Sequence, residues 1–67
     1  MTPSEFKAAR KYLGFDEQEL ADEWGMGANG GRTIRRYENP YDPQHRAVGP
    51  VMAYTLRLMV SVRRGEA

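Results

Sequence analysis

Gly31-Arg32-Thr33-Ile34-Arg35-Arg36-Tyr37-Glu38 is the stretch that decides how this chain is read. Set on a helix at about 100° per residue, Arg32, Arg35 and Arg36 fall within one arc of roughly 100°, with Thr33, Ile34 and Tyr37 opposite. One face can pack on a core while the other presents three guanidinium groups, with no acid before Glu38. The major groove of DNA admits a short helix of that kind. A solvated amphipathic helix with ordinary surface arginines would show the same period, so the flanking segments must decide.

Those segments belong to a short chain. Sixty-seven residues make one small domain, spanning 1–67, whose core is limited unless something staples it. There is no cysteine, which removes disulfides and thiolate metal sites and leaves a second copy of the chain as the expected staple. No apolar run is long enough to span a membrane and no signal-peptide pattern is present, so a cytoplasmic protein is expected. Net charge is only +1, but its distribution is lopsided. Residues 1–31 carry three Lys/Arg against six Asp/Glu, a net of −3, while 32–67 carry seven Arg against three acids, a net of +4. The positive field begins at the arginine helix and continues through Arg46, Arg57, Arg63 and Arg64.

Start and stop signals divide the chain into four helices. Thr2-Pro3-Ser4-Glu5 opens the first, with Thr2 as cap, Pro3 at the first position and Glu5 three residues on. Phe6, Ala9 and Leu13 make its apolar stripe, and Gly14 supplies the left-handed stop, giving a helix over about 3–13. Asp16 caps the second with Glu19 reaching back, and Phe15 is placed to staple Leu20. Leu20, Ala21 and Trp24 point inward over about 16–24, and the small Ala21 permits a close helix crossing. Met26 to Gly31 is a glycine-rich connection, with Asn29 or Gly30 capping a third helix over about 30–38. Its glycines either let a partner approach the backbone or serve a turn, and the two are compatible. Asn39-Pro40 ends that helix. A loop from Tyr41 to Val48 follows, holding His45, whose isolation from Cys or a second His argues against a metal site.

Gly49-Pro50 opens a fourth helix over about 50–63. It is apolar around well over half its circumference, where one-sided packing asks for roughly 100°. Val51, Tyr54, Thr55, Leu58 and Val62 form one face. Met52, Leu56, Met59 and Val60 continue it round the helix and are the expected homodimer interface. The alternative is a domain that wraps this helix more fully.

The order of these blocks resembles the Cro/repressor (XRE-like) helix-turn-helix family of small bacterial and phage regulators. The carrying residues are Phe6-Lys7-x-x-Arg10-x-x-Leu13-Gly14-Phe15, Glu19-Leu20-Ala21-x-x-Trp24-Gly25-Met26 and Arg32 to Glu38, with Gly49-Pro50 to Leu58 similar to the closing helix of short members. Two departures stand out. The Gly27–Gly31 connection is about three residues longer than usual, and Glu17 replaces a glutamine that often supports DNA contacts. The resemblance implies an all-α, four-helix DNA-binding domain acting on double-stranded DNA as a homodimeric transcriptional repressor, and regulators of this kind often repress the operon that encodes them. Carried over by position, it implies base contacts from Gly31, Arg32, Arg35 and Arg36. It implies phosphate-backbone contacts from Gln18, Asn29, Gly30, Thr33, Tyr41, His45 and Arg46. No cofactor, metal or small-molecule ligand is expected. Neither is catalysis, since the acids sit on caps and exposed faces and the one histidine has no evident partner. The rival reading is an antitoxin-like interaction module whose fourth helix binds a different protein. RNA binding is weaker, because no aromatics interleave the arginines.

Overall fold

Local capping chemistry sets the helix starts in the computed structural model, which describes residues 1–66. Helix α1 (Pro3–Tyr12) opens on a reciprocal pair. The Thr2 hydroxyl accepts from the Glu5 amide at 3.1 Å, while Glu5 accepts from the Thr2 amide at 2.8 Å. Helix α2 (Glu17–Glu23) repeats the device with Asp16 and Glu19, at 2.7 and 2.9 Å. Gly14, at φ 81°, terminates α1 as the glycine signal predicts. Helix α3 (Gly30–Glu38) stops at Asn39, whose extended backbone precedes Pro40. Helix α4 (Pro50–Arg64) starts on a proline and ends at Gly65 in the left-handed region. The four helices fall within a residue of the expected bounds, and no strand occurs among the described residues. The all-α, four-helix architecture is as expected.

Helix α1 is the hub: α3 and α4 both pack on it, and α2 packs on α3. Fully buried Phe6 occupies the centre, edge-on to Trp24 at 6.3 Å and stacked on Tyr37 at 6.1 Å between ring centroids. Leu13, Leu20, Ala21, Ile34 and Leu56 complete the core. Each fully buried large apolar side chain among them contributes on the order of 1.5–3 kcal/mol. Trp24 serves that core, and its indole N–H donates to the Met59 sulfur at 3.3 Å, tying the end of α2 to α4. Among the described residues no helix is long and apolar enough to cross a membrane.

The two faces of α4 are the reverse of the sequence expectation. Leu56 is fully buried in the monomer, and Met52, Met59 and Val60 pack partly buried against the same core. These four therefore seat the helix and are not an open interface. The exposed face carries Val51, Tyr54, Leu58 and Val62. Small, buried Ala53 lies on the inward side, where the backbone needs room to approach its neighbours. Exposed Tyr54 lies on the other.

Candidate nucleic-acid interface

The inner face of α3 fixes the direction of its outer face. Ile34 is fully buried, and Tyr37 lies on Phe6. At the C-terminal end, Glu38 accepts from Arg10 in a two-pronged pair, Nε at 2.6 Å and Nη2 at 2.9 Å. Arg10 also donates through Nη1 to the Phe15 carbonyl at 2.8 Å. Both charged side chains are 6% exposed, so this is a buried pair with its polar atoms satisfied. Hydrogen bonding to Glu38 raises the Arg10 pKa against the opposing effect of burial. The pair clamps the end of α3 to α1. Its members lie 28 positions apart, and no local spacing in the sequence signals it.

The N-terminal end is seated by absent side chains. A Cβ on Gly30 would lie 2.5 Å from the Ala21 Cβ and 2.7 Å from the Met26 Cβ. One on Gly31 would lie 2.8 Å from Gln18 Oε1 and 3.1 Å from Gln18 Cα. Ala21 thus serves the close crossing that its size predicts, with two glycines as its counterpart. The consequence is a correction. Gly30 and Gly31 are buried, and their amides donate to the Gly27 carbonyl and to Gln18 Oε1, both at 3.0 Å. A buried backbone with its N–H groups engaged does not read a base or hold a phosphate. Gln18 is likewise committed, since its Nε2 donates to Asp22 at 2.8 Å and to the Gly27 carbonyl at 3.1 Å. It buttresses α3 from α2 and is not free to reach a duplex.

What α3 leaves outward is the arginine face. Arg32 and Arg35 are exposed and Arg36 is half-buried. Arg35 meets Glu17 at 3.1 Å across the α2–α3 gap. With the Arg35 side chain 68% exposed, that pair contributes at most about 1 kcal/mol and yields readily to a phosphate. Glu17, the departure from the expected glutamine, is therefore a weak partner of Arg35 across that gap. Asn29 occupies the cap position of α3, exposed, with no side-chain cap bond, and Thr33 is half-buried.

The loop after α3 is drawn back to the helix by its histidine. In an α-helix the Arg36 carbonyl would accept from the amide of residue 40, but that residue is proline and has none. The His45 ring takes its place, with Nδ1 2.6 Å from the Arg36 oxygen, so Nδ1 carries the proton. Asx turns at Asn39 and Asp42 shape the intervening chain: the Tyr41 and Gln44 amides donate to those side chains at 3.0 and 2.8 Å. Half-buried His45 thus acts on the backbone of α3, while neighbouring Arg46 and Tyr41, 91% exposed, remain open. Among the sequence-predicted residues, the structure gathers Arg32, Arg35 and Arg36 on one helix face. It joins the loop of Tyr41 and Arg46 to the same helix, and retires Gln18, Gly30 and Gly31 to packing.

Fold and site together define an all-helical four-helix domain that presents arginines from a helix clamped at both ends. No protein-family model, curated protein or solved structure matches the chain.

Proposed function

We propose that the chain is a sequence-specific, double-stranded DNA-binding transcriptional regulator of the Cro/repressor (XRE-like) helix-turn-helix kind. In this reading it is a cytoplasmic, non-catalytic homodimer that represses by occluding a promoter. Helix α3 lies in the major groove, with Arg32 and Arg36 at base edges and Arg35 at bases or backbone. Each arginine fork can bond guanine N7 and O6 together. Arg46 and Tyr41 meet phosphates and set register more than sequence. Two copies place their third helices about 34 Å apart on an inverted repeat.

One observation carries the reading. An arginine-bearing helix face is held rigidly, by a buried ion pair at one end and a glycine crossing at the other. A merely solvated helix has no need of that fixation. Selection of bound duplexes from a random pool at near-physiological salt tests it. Enrichment of an inverted repeat with half-sites one turn apart is expected. Salt-sensitive binding with no enriched sequence would overturn it. The exposed apolar side of α4 supports the second reading, an antitoxin-like module that binds a different protein. Stoichiometric capture of one unrelated chain, with no enriched duplex, would favour that module.

A further inference from the structure

Helix α4 has two apolar faces and the monomer uses one. With Leu56 inward, Val51, Tyr54, Leu58 and Val62 remain 80, 67, 45 and 60% exposed. At 100° per residue the four fall within an arc of about 80°. No charged side chain lies in that arc. Its margins are Ser61 and Thr55, whose hydroxyl donates to the Val51 carbonyl at 2.8 Å. Of the nearest cations, Arg64 stands 5.2 Å over the Tyr12 ring and Arg57 shares a cleft with Glu5, both on the α1 side, while Arg63 borders the cleft at the Val62 end.

We propose that this stripe is a two-fold self-association surface, on which α4 pairs antiparallel with α4 of a second copy. Val51 meets the partner's Val62, and Tyr54 meets the partner's Leu58. The inference rests on the regulator reading only in naming how its two copies meet, and its test needs no DNA.

A two-fold interface must be complementary to itself. Reversing the stripe about its midpoint, between residues 56 and 57, exchanges position 51 with 62 and brings 54 within a residue of 58, so the stripe maps closely onto itself. The area also fits a second copy. The four side chains expose on the order of 400 Å² of apolar surface, the size of the largest patch on a typical small protein, which is often functional. A standard interface needs about 800 Å² per partner. Two apolar clefts beside the stripe extend it, and the total stays below that standard, in the range of a weak, reversible dimer. One, of about 600 Å³, lies at the Val51 end against Trp24 and Met26. The other, of about 380 Å³, lies at the Val62 end against Leu13 and Phe15. Both open on the same flank of α4, and the reversal lays the Val62 end of one copy over the Val51-end cleft of the other. An uncharged stripe asks for an uncharged occupant, which a second copy supplies.

Sedimentation equilibrium on the whole chain, into the high-micromolar range, is the first test. A dimer is expected, weakened at least about tenfold by Leu58→Glu or Tyr54→Glu, with helical circular dichroism retained because both positions are exposed. A wild-type monomer throughout, or a dimer indifferent to both substitutions, would overturn the surface. Register is tested in the cysteine-free background. A mixture of Val51→Cys and Val62→Cys proteins should form a disulfide-linked pair that neither forms alone. In the antiparallel arrangement two copies of position 51 lie about 16 Å apart along the axis, beyond disulfide reach. Self-linking of Val51→Cys would therefore refute it. A monomer that still selects a single half-site would sink the surface and leave DNA recognition standing. A dimer with no DNA selectivity would do the converse.

Discussion

Replacing Glu38 with alanine tests whether the arginine face is clamped. The substitution leaves the Arg10 guanidinium buried, with its Nε–H and Nη2–H no longer paired to a carboxylate and only the Phe15 carbonyl as partner. Removing one member of a buried pair costs about 3–5 kcal/mol, mostly because the survivor's charge is uncompensated. A chain of 67 residues has a total stability of roughly 3–10 kcal/mol at 0.05–0.15 kcal/mol per residue. The loss is therefore a large share of the whole. For a domain this small it lowers the melting temperature by more than about 12 °C. Urea unfolding followed by Trp24 fluorescence measures it, with circular dichroism as a second probe. Exchanging both partners, as Arg10→Met with Glu38→Leu, should recover most of the loss, since no charge then remains buried. A cost for Glu38→Ala below about 1 kcal/mol would mean that water reaches Arg10, and the clamp would not exist.

The interface and the remaining packing give further expectations. Arg32→Ala should weaken the selected site by about 1–3 kcal/mol and relax preference at one base pair, whereas Arg46→Ala should weaken all duplexes alike and flatten the log–log salt slope by about 0.9. Competition binding across salt separates them, and a sequence-selective loss at Arg46 would contradict its assignment to phosphate. Gly30→Ala should destabilise by about 1–3 kcal/mol despite the better helix propensity of alanine, because the new Cβ meets two Cβ atoms fixed to backbone. A gain in melting temperature would refute that crossing. Hydrogen bonds from Thr2 hold the Glu5 pKa below its ordinary value. A folded pKa lowered in this way contributes stability above the unfolded value, lost as pH falls through the folded one. The advantage of wild type over Glu5→Gln in thermal melts should therefore be full near neutrality and vanish in acid.

The parts of the fold that are legible from sequence are those that local chemistry decides. Thr2 with Glu5, Asp16 with Glu19, Gly14, Pro40 and Pro50 act within a turn of themselves, and each marks a helix end. The outward turn of Arg32 and Arg35 is equally local, because Ile34 and Tyr37 leave the helix no other orientation. The orientation of α4 is different. Met52, Leu56, Met59 and Val60 are no more apolar than Val51, Leu58 and Val62, so periodicity finds two faces and cannot choose between them. Packing on α1 chooses, and Ala53 with the hydroxyl of Tyr54 was the available hint. Gly30 and Gly31 look like flexible connection, yet they open α3, and only Ala21 across the gap explains why side chains are missing there. Of the candidate contacts, those on backbone and on Gln18 moved inward for this reason, while the long arginines stayed outside.

The histidine that answers the carbonyl of Arg36 ties position 45 energetically to position 40. Proline at 40 creates a vacancy in the hydrogen-bonding of α3, and the imidazole fills it. Pro40→Ala would restore a competing amide and release the ring, so His45→Phe should cost less beside it than alone, a departure from additivity that a double-mutant cycle reads directly. Across variants of this chain, drift at one of the two sites is then conditional on the other. The loop bearing Tyr41 and Arg46 would change its bearing on the arginine helix through substitutions that touch no arginine at all.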